Sequence, residues 1–486
     1  MSFFQTTGRH EGAKEGGSGR VAMWLLLPPL FVLIVLKTDF LPQVVVHTVS
    51  YAGFDNARWQ QHPHDPEAVK EYNHQNQILA TNGPHEDSSS INSDTGASVS
   101  KLTCDFGNPH SDTCTMEGDL RIHGKSATVY VVAASTHRPE NSTITVRPYT
   151  RKWEQETMSR IREVTMRSMP PAFSFVIPPK CTVRHDVPAV VFSTGGCGTN
   201  FFHGMSDLVV PLYITSREYD GRVQLLIADY NAEWVAKFRP VLAALSTFPV
   251  IDLDADAAVR CFPSVHVGLE SHKKMLAIDP SLSRNGYTMM GFRDFLRSVF
   301  SLQRPWATPV RLGSGQKPRL LMVLRRRSRE LSNEAETIAA MEEIGFEVVA
   351  ARPEDVSDMS RFAGVVNSCD VMVGVHGAGL TNMVFLPHNG TVVQIVPWGN
   401  MKWACWYAFG EPVPGMGLRY VEYEATAEET TLKEKYPRDH PVFTDPQSIH
   451  RQGKAWSTFL NGQNVTLDID RFKAVMLQVF QSITTE

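Results

Sequence analysis

The stretch Gly374-Val375-His376-Gly377-Ala378-Gly379-Leu380-Thr381-Asn382 has the composition of a turn that can hold an anion. An apolar run, 371–375, precedes it and a helical run, 380–386, follows, so the expected order is buried strand, glycine turn, helix start. Glycine lets the backbone come close to a bound group. A helix start offers unpaired N–H groups at the positive end of a dipole, which suits phosphate or pyrophosphate. A tight turn with no ligand would need the same glycines. The polar groups of His376, Thr381 and Asn382 at the same turn favour a ligand.

A second group is Arg325-Arg326-Arg327-Ser328-Arg329, at the end of an expected strand 320–324 and followed by Asn333. Arginine pairs bidentately with phosphate oxygens; the competing reading is a solvated basic run. A third group is Asn200, His203 and Asp207, spaced i, i+3, i+7 so that a helix places all three on one face. That face follows Gly195-Gly196-Cys197-Gly198, and an imidazole or carboxylate there can take a proton from a substrate hydroxyl. An N-cap, a packed histidine and a solvated aspartate read equally well. Asp252-Leu253-Asp254 has the D-x-D pattern that chelates Mn²⁺ or Mg²⁺ against a nucleotide diphosphate. The pattern recurs at Asp468-Ile469-Asp470, and a polar turn is the preferred reading. His62 and His64 lie in a polar tract and read as solvated.

These residues need a scaffold, and the hydrophobic pattern supplies one. Strands are expected at 127–134, 189–193, 223–228 and 249–253, with helices at 208–214 and 232–245, the latter interrupted at Pro240. Pro305, Pro309 and Gly313-Ser314-Gly315 mark a linker. The strand–helix alternation then restarts: strands 320–324, 346–350 and 391–396, helices 333–344 and 357–367, the latter capped by Ser357. Such alternation gives βαβ units and a mostly parallel sheet. In open sheets of this kind ligands bind beyond the carboxyl ends of the strands, where both the arginine cluster and the glycine turn fall. A closing helix, 468–483, carries one apolar stripe and is expected to pack across two domains; packing on its own domain is the alternative.

The 486 residues are enough for two or three domains, and a net charge of −4 argues against non-specific nucleic-acid binding. Seven cysteines are too few for a disulfide scaffold and odd in number. Cys104 and Cys114 flank the turn Gly107-Asn108-Pro109, and a bridge between them is expected. The apolar run 21–36, with Arg9, Lys14 and Arg20 before it, reads as a retained anchor with a cytosolic N-terminus. A polar stem with Ser88-Ser89-Ser90 follows. The sequons at Asn141, Asn389 and Asn464 then belong to a lumenal, disulfide-permissive region.

The chain resembles glycosyltransferase family 61, in its plant branch. The matching stretches are Cys104 to Cys114 with Glu117-Gly118-Asp119 and Arg121, then Gly198-Thr199-Asn200-Phe201-Phe202-His203 with Asp207. They continue with 318–324, Arg325, Arg329 and Asn333, and with 375–382 followed by Phe385-Leu386-Pro387. The resemblance covers about residues 100 to 483 and is nearest to the grass xylan arabinofuranosyltransferases and xylosyltransferases. It implies a GT-B-like α/β fold: two Rossmann-like domains with mostly parallel sheets, preceded by one N-terminal transmembrane helix. The division it suggests is 1–20 cytosolic tail, 21–41 transmembrane signal anchor, 42–100 flexible lumenal stem and 101–304 acceptor domain. A linker, 305–317, and a nucleotide-sugar-binding domain with its closing helix, 318–486, complete the chain.

The activity implied is inverting transfer of a pentose, arabinofuranose or xylose, from a UDP-sugar onto a xylan backbone or side chain. The setting implied is the Golgi membrane, as a single-pass type II protein. Nucleotide sugar and xylan would be the partners, no nucleic acid would bind, and a complex with other Golgi glycosyltransferases fits the same setting. Asp207 would be the base, with His203 as the alternative, and Asn200 would bind the acceptor. Arg325, Arg329, Asn333, His376, Gly377, Ala378, Gly379, Leu380, Thr381 and Asn382 would bind the donor. No cofactor or essential metal is expected. Transfer to N-glycans or another glycan acceptor, such as a beta-1,2-xylosyl transfer, and a non-catalytic Golgi scaffold that binds sugar nucleotide are the alternatives.

Overall fold

The computed structural model describes residues 101–132, 143–169, 177–273 and 275–485. The expected tail, anchor and stem, and the sequon at Asn141, lie outside the described residues. Among the described residues no helix is long and apolar enough to cross a membrane.

The first sheet comprises β1 (Lys101–Asp105), β2 (Thr113–His123), β3 (Thr128–Val132), β4 (Thr143–Val146), β5 (Val164–Met169), β6 (Val183–Arg184), β7 (Ala189–Ser193), β8 (Gln224–Ala228), β9 (Ile251–Asp252) and β10 (Val259–Val267). Its order is β4-β5-β3-β2-β10-β7-β8-β9, with β1 on β2 and β6 on β10. The part β10-β7-β8-β9 is parallel, as are the pairings of β6 with β10 and of β3 with β5; β2 runs antiparallel to β1, β3 and β10, and β4 to β5. This half is therefore a mixed sheet, where the alternation of elements predicts a mostly parallel one. The physical reason is visible in β2, where buried and more exposed residues largely alternate, the pattern of a strand with one solvated face. In contrast β7 and β8 are buried at every residue, as strands covered on both faces must be.

The second sheet is parallel throughout. It is built from β12 (Arg319–Val323), β13 (Glu347–Ala351), β14 (Val371–Val375), β15 (Thr391–Val396) and β16 (Arg419–Glu424) in the order β13-β12-β14-β15-β16. This is a doubly wound order with its switch point between β12 and β14. A short parallel pair, β11 (Val310–Arg311) with β17 (Thr484–Thr485), ties the linker to the end of the chain.

Several elements differ from the sequence expectation. The strand expected at 249–253 shortens to Ile251–Asp252. Helix Met359–Asn367 is capped by Asp358, whose side chain accepts from the Arg361 N–H, and not by Ser357. Strand β10 and helix Met289–Val299 were not anticipated. The closing helix Ile469–Ser482 packs on its own half: Phe472 meets Tyr423, Phe480 meets Phe346, and the helix lies against Glu334–Ile344.

The two halves are joined elsewhere. One continuous core contains Phe192, Leu208 and Trp234 of the first half and Val323, Leu380 and Met383 of the second. Helix Met289–Val299 sends the buried Arg293 into the second half, where it donates to the carbonyls of Val384 (3.2 Å), Leu386 and Met416 and to Nδ1 of His388 (3.1 Å). Burial, with Arg297 alongside, pushes Arg293 down to about 9.

Candidate active site

The first half of the site is the start of the helix that follows β7. It is built of Phe201–His203, a π-helical Gly204–Val209 and Val210–Ser216. Such π turns recur at functional positions. Asp207 lies inside it, 5% exposed, and its carboxylate is fully engaged. Ser206 Oγ donates to Oδ1 at 2.7 Å. Tyr149 OH (3.2 Å), Arg151 Nη1 (3.5 Å) and Nδ1 of His203 (3.1 Å) converge on Oδ2. Arg151 is also held by Glu154 at 2.7 Å. Burial alone would lower the Arg151 pKa, but Glu154 and Asp207 more than offset it and hold the guanidinium above its ordinary value.

This geometry reverses the order of the two candidate bases. Asp207 is buried with four side-chain partners around its carboxylate, so a substrate hydroxyl reaches it less readily than it reaches His203. His203 stands in front of it, with a side chain 25% exposed against 7% for Asp207. Nδ1 of His203 lies 3.1 Å from Asp207 Oδ2, which can only accept, and 3.3 Å from Arg151 Nη1, which can only donate; in the tautomer that donates to Asp207, the Nε2 lone pair is left for a substrate. Asn200 is the N-cap: its Oδ1 accepts from the Phe202 N–H at 3.0 Å, which is the structural role weighed against acceptor binding.

The second half lies at the switch point of the parallel sheet. Arg325 follows β12 and the glycine turn follows β14, so both reach the crevice beyond the strand ends. Gly377 has φ 148°, and a Cβ there would sit 2.1 Å from Nη1 of Arg325. The glycine thus makes room for a guanidinium laid against the turn. Gly379 has a different reason: its Cβ would press on Val323 at 2.8 Å. The expected helical run is present as a 3₁₀ helix, Ala378–Phe385.

Among the described residues, no carboxylate pairs with Arg325 or Arg329, and Nε of Arg329 is buried without a partner. Arg325 Nε donates to the carbonyl of Ser328 at 2.8 Å. Burial, with the Arg325 charge beside it, pushes Arg329 down to about 10. Arg326, by contrast, is neutralised by Glu330 (3.2 Å) and Glu334 (3.1 Å). His376 is half-buried with Nδ1 2.8 Å from Gln394 Nε2, and burial together with Arg329 and Arg325 pushes it down to about 3. A neutral imidazole and two uncompensated guanidiniums make a local field that only an anion relieves.

The two halves meet through aromatic rings. Phe409 touches Phe202 (5.3 Å between centroids) and His376 (5.6 Å), and Phe202 touches His203 (5.4 Å). Residues Phe201–His203 pack directly on Ala378–Phe385. The His203 helix and the segment that follows the glycine turn are therefore direct neighbours.

Other expected site residues have structural duties. Asn333 caps helix Glu334–Ile344 in position, but its amide bridges the Leu467 backbone, Nδ2 to O at 2.9 Å and Oδ1 from N–H at 3.0 Å. It is not available to a donor. Leu380 is core, and Asn382 Nδ2 donates to Gly379 O at 2.9 Å. Thr381 is fully buried with Oγ1 unpartnered. Asp252 Oδ1 accepts from the N–H groups of Asp254 and Ala255 at 3.0 and 3.1 Å, and Asp254 pairs with Arg162, so the D-x-D forms a turn.

Asp119, Cys181 and Cys261 come together, but the two cysteines are disulfide-bonded, which removes them as ligands. Cys104–Cys114 is bridged as expected. At the Asn389 sequon, Arg419 holds Oδ1 at 2.9 and 2.8 Å, Nδ2 lies 3.4 Å from the Ala307 carbonyl, and Thr391 is 1% exposed. Asn464 is half-buried, with Oδ1 accepting from the Glu330 N–H at 3.0 Å. Sequence reasoning missed Tyr149, Arg151, Gln394 and Phe409; their types are ordinary and no local pattern marks them.

The family model of glycosyltransferase 61 matches residues 201–393, from the start of the His203 helix to β15. The beta-1,2-xylosyltransferase XYXT1 of Oryza sativa subsp. japonica is 42% identical over 78% of this chain and 83% of its own. The chain belongs to glycosyltransferase family 61. The alpha-1,3-arabinosyltransferase XAT2 of the same plant is also 42% identical, over 79% of this chain; the chain spans 65% of that relative's length. The xylan glycosyltransferase MUCI21 of Arabidopsis thaliana is 34% identical over 78% of this chain and 79% of its own. The family match encloses His203, Asp207, Arg325, Arg329 and the glycine turn, while Tyr149 and Arg151 lie before it.

Proposed function

We propose that this chain is an inverting, UDP-sugar-dependent pentosyltransferase that places arabinofuranose or xylose on xylan. The observation that carries the reading is the pair at the switch point, Arg325, half-buried against Gly377, and Arg329, buried beside it, which have no carboxylate partner among the described residues. Two guanidiniums in that state call for a strong anion, and a diphosphate supplies one. The activities for which the relatives are named, arabinosyl and xylosyl transfer and action on xylan, support the pentose and the acceptor. The two sheets on either side of the crevice fit a GT-B arrangement, with the parallel sheet as the donor side.

The acceptor hydroxyl attacks the anomeric carbon on the face opposite UDP. The new C–O bond forms as the bond to the diphosphate breaks, and the electron pair leaves with UDP. His203 takes the hydroxyl proton at Nε2, and Asp207 orients the ring and stabilises the imidazolium. Arg325, Arg329 and the N–H groups opening the 3₁₀ turn meet the charge that grows on the leaving diphosphate. They do electrostatically what a divalent cation does in other transferases, so this reading requires no metal. Anchoring through 21–41 in the Golgi membrane, with a lumenal catalytic part, belongs to the same reading and fits the two disulfides.

The test is a donor screen with xylo-oligosaccharide acceptors, using UDP-arabinofuranose, UDP-xylose and UDP-GlcNAc, each with and without chelator. Transfer from one pentose donor, unchanged by chelator, is the expected result. Transfer only from UDP-GlcNAc, loss of transfer in chelator, or UDP binding without any transfer would each overturn a stated part of it.

A further inference from the structure

The segment that joins the two halves of the site carries a second face that catalysis does not use. Helix Lys402–Cys405 runs directly into the π-helical turn Trp406–Gly410. Phe409 of this segment is buried between Phe202 and His376. Trp403 and Trp406, on the same two turns, are 66% and 42% exposed. The Tyr407 ring lies parallel to Trp403, with centroids 5.2 Å apart and planes 5° apart. It covers one face of that indole and leaves the other open to solvent. Trp406 has a built seat: a Cβ on Gly410 would fall 2.4 Å from its ring and 2.9 Å from the Tyr420 ring, so only glycine lets the indole settle there.

Charged pairs rim these rings. Lys402 meets Glu422 at 3.3 Å and Glu424 at 3.8 Å, and Lys273 of the first half reaches Glu411 at 4.0 Å.

We infer that Trp403, backed by Tyr407, and Trp406 form a stacking platform for the acceptor polysaccharide, holding sugar rings beyond the unit that receives the new pentose. This rests on the reading that the acceptor is a polysaccharide. An open indole face is apolar while its edge remains wet, which suits the C–H face of a pyranose whose hydroxyls stay in water. A surface for a second copy of the chain would have an apolar centre largely free of charge; here the exposed rings are interleaved with ion pairs. Location supplies the second argument. The platform is continuous with Phe409, which touches both halves of the crevice, so a chain lying on it leads to His203. A short acceptor that ends at the crevice gains nothing from the platform, whereas a long one gains stacking on at least one ring.

The experiment compares the full chain with its Trp403→Ala and Trp403→Phe variants. Two readouts are taken: transfer to xylo-oligosaccharides of increasing length, and retardation in gels containing soluble linear xylan. In Trp403→Ala the KM for long acceptors should rise about tenfold, the scale of one lost aromatic contact. Its kcat, its KM for the UDP-sugar and its transfer to the shortest acceptor should stay at the wild-type values, and Trp403→Phe should recover most of the loss. Xylan should retard the wild type and not Trp403→Ala. A KM change equal at all lengths, or none, overturns the platform, as does a wild type that xylan does not retard. Retardation lost in Trp403→Ala while the wild type transfers nothing to xylan keeps the platform and refutes the transfer reading. A dimer that dissociates in Trp403→Ala, with retardation unchanged, assigns the face to a second copy and overturns the proposal.

Discussion

Replacing Arg329 by methionine should make the free protein more stable and its nucleotide binding weaker. The residue is 8% exposed, Nε of its guanidinium has no partner, and no carboxylate pairs with it among the described residues. Burial, with the Arg325 charge alongside, pushes its pKa from 12.5 to about 10. At about 1.36 kcal/mol per pKa unit, keeping it charged at neutral pH costs the folded chain ~3 kcal/mol. The sign follows from linkage: the unfolded chain holds this proton more tightly, so the penalty is present at all pH values below the folded pKa and fades as pH rises through it. Arg329 also sits at φ 54°, and methionine suffers that backbone strain equally, so the exchange isolates the charge. Without ligand, Arg329→Met should melt roughly 5 °C higher than the wild type.

With UDP the gap between the two proteins should narrow to about half, with the variant still the more stable. At a hundredfold excess over Kd, UDP stabilises the wild type by about 2.7 kcal/mol. Loss of one charge-assisted hydrogen bond weakens binding by tenfold or more, which cuts that gain to about half at the same concentration. A thermal-shift measurement with and without UDP reads both effects in one plate. A variant that melts lower than the wild type without UDP, yet keeps the full UDP shift, would refute the view that Arg329 is held uncompensated for an anion.

Asp207→Asn should lower kcat by about 10²- to 10⁴-fold with the donor KM unchanged, and His203→Ala should lose as much, with the double variant little worse than either; near-normal turnover in Asp207→Asn would remove the dyad. Gly377→Ala forces a Cβ onto Nη1 of Arg325 at a φ of 148°, so the KM for the UDP-sugar should rise tenfold or more in steady-state assays, while the fold, read by circular dichroism, persists. Burial, with Arg329 and Arg325 nearby, holds His376 at about 3, far below its unfolded value of about 6.5. The unfolded chain therefore takes up the proton first, and stability contributed by this residue is lost as pH falls from the unfolded to the folded pKa. Urea titrations should show His376→Asn losing less stability than the wild type between pH 6.5 and pH 4. An identical acid slope in both proteins would show that His376 is not buried in this way.

The elements that local pattern specifies were legible. Strands β7 and β15 and helix Ala232–Leu245 fall at the expected residues, because uninterrupted apolar runs and a clear N-cap leave little choice, although the helix runs on through Pro240, where an interruption is expected. The glycine turn and the arginine cluster could be placed at strand ends for the same reason. Strand β10 was less visible: Pro263 interrupts its run, and its pairing partners lie far away in the chain, on β2, β6 and β7. The closing helix shows the other limit, since an amphipathic stripe states that a face is buried and says nothing of the surface that covers it.

What the amino-acid order determined by itself is the inventory of the site: a histidine and an aspartate on one helical face, arginines and glycines at the ends of two parallel strands. What only the tertiary structure decided is how each of these groups is left. Arg151 and Tyr149, more than fifty residues before Asp207, engage its carboxylate and turn it from a candidate base into the partner of His203. Acidic neighbours quench Arg326, while Arg325 and Arg329 keep their charge. The D-x-D closes on its own backbone and on Arg162. In each case reactivity depends on which lone pairs and charges stay unpaired after folding, and those are set by neighbours that spacing along the chain does not reveal.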